Sequence, residues 1–336
     1  MSSSIRYHST NRWLRPAGQP AVPPVSFATA LLRGQAPDGG LYLPERLPTI
    51  DWRALRGRPY AEVAHAVLAP FLVPEMPADA LLALLHEAYD FDIPTEAVDD
   101  RTIIARLDRG PTASFKDFAA RAMARWMAHF RPGDQTLTVL VATSGDTGSA
   151  VGEAFRGVPG TRVVILFPDR EVSSVQRAQL ERIGGNVSAV VIDGKFDDCQ
   201  QMVKRAFNDP ALADWGLTSA NSINVGRVLP QAVYYFYLYC RLADGEPLNF
   251  CIPSGNLGNS LGAELARRMG LPVGKIVVAT NANDALPAFL LRGDYRPVHP
   301  SRACLSNAMN VGNPSNLARY FDLYGGTVDA AGTVHR

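Results

Sequence analysis

Short apolar runs and helix-period stretches alternate along most of the chain. The runs fall at 102–107 (TIIARL), 137–142 (LTVLVA), 163–167 (VVILF), 187–192 (VSAVVI), 250–253 (FCIP) and 276–279 (IVVA). They are mostly apolar along their length instead of alternating with polar residues, as strands buried on both faces should be. Between them, apolar positions recur with a helical period over 117–130, 149–156, 175–183, 196–208, 227–242 and 261–269. This alternation predicts an α/β fold built on a doubly wound, mostly parallel sheet. The stretch before residue 96 differs: it predicts helices over 61–72 and 78–90, is rich in Gly and Pro before them, and has few strand signals. It reads as a mixed α+β N-terminal region packed on the α/β body.

Composition narrows the function classes. A chain of 336 residues is long enough for two packed cores. Lys and Arg number 33 against 32 for Asp and Glu, a formal net charge of +1. That balance gives no global attraction to nucleic acid or to an anionic membrane, so an anionic ligand would need a local site. No apolar run reaches the ~18–20 residues that span a bilayer. The four cysteines (199, 240, 251 and 304) form no C-x-x-C pair and have no histidine at zinc-ligand spacing. No metal site is expected, Cys240 and Cys251 read as small core residues, and the pattern fits a reducing compartment.

In open parallel sheets, ligands collect beyond the carboxyl ends of the strands. Three loops there could carry chemistry. The first, Gly110-Pro111-Thr112-Ala113-Ser114-Phe115-Lys116-Asp117, opens a helix with a lysine. A cation at the positive end of a helix is mismatched by ~0.3–1 kcal/mol. Either Lys116 is exposed and Asp117 offsets the dipole, or it is a partly buried amine suited to Schiff-base chemistry. The second, Thr143-Ser144-Gly145-Asp146-Thr147-Gly148-Ser149, offers hydroxyls and backbone N–H groups at a helix start. It suits a carboxylate or phosphate, or is a plain turn with a capping Ser or Asp. The third, Ser254-Gly255-Asn256-Leu257-Gly258-Asn259, lets several N–H groups converge on one anion. It is not the dinucleotide fingerprint, and the chain has no P-loop motif.

Together these segments carry a resemblance. GPTASFKDFAARAMA resembles the cofactor-lysine segment of threonine synthases, pyridoxal-phosphate enzymes of the tryptophan synthase β, or fold type II, superfamily. TSGDTGSA is similar to their substrate-carboxylate and cofactor-ring loop, SGNLGN to their cofactor-phosphate loop, and TSANSINVGR to the stretch that holds the substrate's phosphate. ATNANDALPAFL, LSNAMNVGNPSN and, near the N-terminus, YHST and DGGLYLPERLP are further family-like runs. The resemblance implies a Schiff base between pyridoxal 5'-phosphate and Lys116, with Phe115, Asp146, Gly255, Asn256, Leu257, Gly258 and Asn259 around the cofactor. It implies Ser144 and Thr147 for the substrate carboxylate, and Asn221, Ser222 and Arg227 for the substrate phosphate. Without it, Arg227 would read as a solvated helix arginine, Asn221 and Ser222 as a turn, and Phe115 and Phe118 as packing.

The implied activity is conversion of O-phospho-L-homoserine and water to L-threonine and phosphate. A dehydratase-like or phospho-lyase eliminase of the same fold is the nearest alternative, and a non-catalytic cofactor-binding protein is another. The implied organisation is an N-terminal region (1–95), a cofactor-binding large domain (96–135 with 225–336) and a small α/β domain (136–224). The likeness begins at Tyr7, so no cleavable transit peptide is expected, and a cytoplasmic location is. A small-molecule substrate is expected, and monomer and homodimer both stay open. The family leads one to expect a further C-terminal segment, with the last sheet strand and a hydroxyl facing the pyridine nitrogen. On this reading the chain is a truncated version or a shortened paralogue.

Overall fold

In the computed structural model, which describes residues 4–14, 21–73, 75–328 and 333–335, four of the strands join in one parallel sheet. Their order is Val187–Ile192, Thr161–Pro168, Leu137–Ala142, Leu217–Ser219, with Val139 opposite both Val163 and Thr218. Leu137–Ala142 is buried at every position, in keeping with its mostly apolar run. Its residues alternate between two layers. Leu140 and Ala142 join Leu166, Cys199 and Val203 in a cluster under helix Phe196–Phe207. Helix Asp146–Phe155 packs beside Thr161–Pro168, where a Cβ on Gly148 or Gly152 would come within about 3 Å of Ile165. Two glycines one turn apart thus let this helix lie close against the strand.

The chain divides into two compact units. This sheet belongs to the unit drawn from 59–65 and 78–221; the other unit comprises 1–58, 66–77 and 222–336. The divisions at 95/96 and 135/136 do not reappear. Helix Lys116–Phe130 groups with the sheet unit, because it packs on Asp146–Phe155 and on Ala78–Ala88. The run at 102–107 forms only Ile103–Ala105, paired antiparallel with Thr95–Ala97 and largely exposed. A connection as short as 98–102 can only make a hairpin, so this segment does not extend the parallel sheet.

The second unit is centred on Leu248–Pro253 and Val273–Ala279, a parallel pair linked by helix Gly258–Arg268. Helix Pro230–Leu242 lies against that crossover and is buried from Pro230 to Cys240, which its apolar and aromatic sequence on all sides requires. The single helix expected over 227–242 is two, Val225–Val228 and Pro230–Leu242. Pro230 has no N–H to continue the first and is preorganised to begin the second. Near the N-terminus, Tyr7–Ser9 pairs antiparallel with Tyr42–Pro44. The carboxylate of Glu75 accepts from the N–H groups of Phe27 and Ala28 at the start of helix Phe27–Arg33.

Cys240 is buried as expected, but Cys251 is exposed. It lies on Leu248–Pro253, whose alternate residues Asn249, Cys251 and Pro253 all face outward, so an apolar run was mistaken for a two-sided core strand. Among the described residues, no helix is long and apolar enough to cross a membrane.

The close seating of helix Asp146–Phe155 gives a test. Gly152→Val would overpack the contact with Ile165 and Ile183 and should lower unfolding free energy by about 1–3 kcal/mol. Urea denaturation measures this, and a midpoint equal to or above that of the parent would contradict the packing described.

Candidate functional site

Beyond the carboxyl end of Leu137–Ala142 the chain makes a tight turn. The buried Thr143 hydroxyl oxygen accepts from the N–H groups of Gly145 and Gly148, both at 2.9 Å, and so closes the loop onto the helix start. Gly145 has φ 130°, a conformation side chains rarely adopt, and a Cβ there would collide with Gln176. The turn brings Asp146 to the first helical position.

There Asp146 meets Lys116. The amine Nζ lies 3.2 Å from Asp146 Oδ2, with the lysine side chain only 14% exposed and the carboxylate 31%. The exposed-lysine reading is therefore overturned. An attraction of about 4 kcal/mol at 4 Å in a partly screened setting, before loss of hydration is subtracted, exceeds the ~0.3–1 kcal/mol dipole mismatch. Asp146 Oδ1 accepts from Gln176 Nε2 at 2.6 Å. Gln176 is aimed by its own helix: Ser173 and Gln176 form a reciprocal capping box at the start of Ser174–Arg182. Burial pushes the Asp146 carboxyl up, but the Lys116 charge and the Gln176 and Lys116 hydrogen bonds together hold it below its ordinary value.

The turn before Lys116 is pinned by Asp117. This buried carboxylate accepts from Thr112 N at 2.9 Å and Thr112 Oγ1 at 2.6 Å. Burial raises its pKa against the pull of those bonds. Asp117 is thus a buried clamp and not the exposed counter-charge of the alternative reading. Phe115 is half-buried beneath the Lys116 amine, 5.3 Å from ring centroid to Nζ. Phe118 is fully buried among Tyr60, Tyr89 and Phe91.

Ser144 and Thr147 are half-buried, and neither side chain has a hydrogen-bond partner among the described residues. Asn221 follows strand Leu217–Ser219 and donates through Nδ2 to Ala142 O at 2.9 Å. Its Oδ1 is buried without a partner among the described residues. The sheet unit therefore gathers Lys116, Asp146, Ser144, Thr147 and Asn221 around the carboxyl end of its central strand, where such sheets bind ligands.

In the other unit, the loop 254–259 joins Leu248–Pro253 to helix Gly258–Arg268. Ser254 is 5% exposed, and its buried Oγ has no partner among the described residues. A Cβ on Gly255 would come within 3.0 Å of Met309 Cα, so the loop is closely covered there. Leu257 has φ 61°, an unusual conformation for an apolar residue, and is buried. Asn256 Oδ1 accepts from Ser315 N at 2.9 Å, and Asn256 O accepts from Asn316 Nδ2 at 3.0 Å. The Asn259 carboxamide oxygen accepts from the hydroxyls of Tyr234 at 2.5 Å and Tyr235 at 2.7 Å. What Leu257, Gly258 and Asn259 can offer an anion is thus backbone N–H.

Ser222 lies beside this helix start, its Cβ 3.8 Å from where a Cβ on Gly258 would stand. Arg227 is 3% exposed on helix Val225–Val228, so the solvated-arginine reading is also overturned. The sequence reasoning missed Gln176, Asn316 and Arg319, and assigned neither the clamp formed by Asp117 nor a ligand role for Ser254. The S-x-x-Q box would have pointed to Gln176; Arg319 carries no local signal.

A family profile described as "Pyridoxal-phosphate dependent enzyme" matches residues 95–336, and one described as "Threonine synthase N terminus" matches 6–89. The chain is 41% identical to threonine synthase of Serratia marcescens over 306 residues, covering 89% of this chain and 71% of that protein. Against the Escherichia coli K12 threonine synthase the identity is 40% with the same coverage. Among solved structures, pyridoxal-phosphate-bound threonine synthase from Brucella melitensis superimposes with a TM-score of 0.87 at 39% identity, over 96% of this chain and 70% of that one. The Escherichia coli enzyme also gives 0.87, at 36% identity, over 95% of this chain and 74% of that one. The α/β architecture is that of those enzymes, and the chain belongs to the threonine synthase family of pyridoxal-phosphate-dependent enzymes.

Proposed function

We propose that this chain converts O-phospho-L-homoserine and water to L-threonine and phosphate, with Lys116 as the residue that carries pyridoxal 5'-phosphate. The observation that carries the reading is the largely buried Lys116 amine, paired with Asp146 and set at the carboxyl end of a parallel sheet. When bound, the cofactor supplies an electron sink for carbanions formed on the substrate.

The residues fit that group. Lys116 would hold it through Nζ, beside Phe115 and Asp146. Its phosphate would go to the loop Gly255, Asn256, Leu257, Gly258, Asn259, whose backbone N–H groups open a helix. A buried hydroxyl without an acceptor is costly, and Ser254 Oγ at the base of that loop would gain one from a phosphate oxygen. Ser144 and Thr147, whose hydroxyls have no partner among the described residues, would take the substrate carboxylate. Asn221, Ser222 and Arg227 would take the substrate phosphate, Arg227 through a charge-assisted fork.

Lys116 Nζ would move protons among the α, β and γ carbons of the substrate. Asp146 stays ionised at neutral pH and favours the protonated amine, so it holds at Nζ the proton that must later be delivered. Gln176 keeps that carboxylate facing the amine.

Substrate choice separates this reading from a serine or threonine dehydratase-like eliminase, which needs no second phosphate site. Arg227→Ala should raise KM for O-phospho-L-homoserine by about tenfold or more, with circular dichroism confirming the fold. Unchanged O-phosphohomoserine kinetics, with serine turned over equally well, would favour the eliminase. The Asp146 pair predicts a pH signature in stability. A carboxyl held below its ordinary value contributes stability at neutral pH that disappears as pH falls through its folded pKa. Asp146→Asn should therefore lose on the order of 1 kcal/mol at about pH 7 and less at about pH 3. Denaturant titration at both values measures this, and an equal loss at each would contradict an ionised Asp146.

A further inference from the structure

Arg319, on helix Leu317–Leu323, has no exposed surface, and among the described residues no carboxylate pairs with it. Its donors all reach neutral acceptors. Nε donates to Tyr42 O at 2.9 Å, Nη2 to Ile223 O at 2.6 Å, and Nη1 to Ser222 O at 3.0 Å and to Asn316 Oδ1 at 2.5 Å. Burying a cation without a counter-ion is expensive, and an apolar residue of similar volume would fill the space with less penalty. A guanidinium retained in such a place is best accounted for by geometry, since its planar fork fixes several acceptors at once.

Two of those acceptors lie on one segment that the proposed function uses, and a third, Asn316, contacts another. Ser222 O and Ile223 O belong to the stretch that opens the substrate-phosphate segment. Asn316 turns its other side-chain atom, Nδ2, to Asn256 O at 3.0 Å in the glycine loop, while the adjacent Ser315 N donates to Asn256 Oδ1. The hypothetical Cβ of Gly258 stands 3.6 Å from Asn316 Nδ2 and 3.8 Å from Ser222 Cβ, so the two segments meet at the start of helix Gly258–Arg268. The charge of Arg319, not cancelled by any described acid, leaves the potential at that point favourable to anions.

We propose that Arg319 is a positioning residue which, acting through Asn316, locks the loop 254–259 into the shape that receives a phosphate and ties it to Ser222. The proposal rests on the reading of that loop as the holder of the cofactor's phosphate. Its signature is selective: contacts to the phosphate weaken, while contacts to the rest of the cofactor do not.

The test compares dissociation constants of the full chain for pyridoxal 5'-phosphate and for pyridoxal, which lacks the phosphate, in the parent, Arg319→Lys and Asn316→Ala. The parent should prefer the phosphorylated form. Both variants should lose about tenfold or more of that preference, with pyridoxal binding close to the parent value. Equal weakening toward both ligands, or an unchanged preference with only a lower melting temperature, would make Arg319 a structural residue and overturn the proposal. If Arg319→Lys does not fold, Asn316→Ala interrupts the same relay and decides alone. A parent that shows no preference for the phosphorylated form would instead overturn the reading of the loop, and the proposal with it.

Discussion

An ammonium kept mostly out of water at the positive end of a helix is unfavourable twice over, through lost hydration and through the helix dipole. Lys116 is in this position at the first residue of Lys116–Phe130, and the surrounding sheet unit is arranged to offset both terms. Asp146 supplies the opposite charge, and it reaches the amine because Thr143 and Gly145 turn the chain abruptly at the end of Leu137–Ala142. Gln176 holds the carboxylate, and the capping box of its own helix holds Gln176. Asp117 fixes the preceding turn through Thr112.

On the proposed function, the second unit meets a different requirement, which is to present backbone donors to an anion without collapsing around the space. It does so by committing side chains elsewhere. The Asn259 carboxamide goes to two tyrosines, the Asn256 carboxamide to Ser315, and Leu257 accepts a left-handed backbone so that its side chain packs inward. The Ser254 hydroxyl is the exception: it has no partner among the described residues, which supports the proposed use of the loop. Arg319 and Asn316 then brace the loop from behind.

Much of this was legible in the sequence, to different depths. LTVLVA at 137–142 marked a strand to the residue because burial on both faces leaves it mostly apolar, with Thr138 its one polar side chain. Lys116 and the two glycine loops depart locally from ordinary helix starts and turns, but only the resemblance gives them roles. TIIARL and FCIP were misread for one reason: apolar content reports a strand but not what lies on each side of it. Ile103, Ile104 and Cys251 are exposed. Leu217–Ser219 is too short to show a period, and its strand character comes from pairing with Leu137–Ala142. Arg319 was illegible in principle. Its acceptors lie at 42, 222, 223 and 316, and nothing in the neighbouring sequence distinguishes it from a surface arginine.

The central claim is that Lys116 binds pyridoxal phosphate in a site that distinguishes O-phospho-L-homoserine from a simple amino acid. It is tested most directly by visible absorption spectra of the reconstituted chain and of its Lys116→Ala variant, titrated with O-phospho-L-homoserine and separately with L-serine. The account predicts an absorption band in the parent that is absent from the variant and is shifted by O-phospho-L-homoserine but not by L-serine. A band of equal strength in the variant, or an equal response to both amino acids, would contradict it.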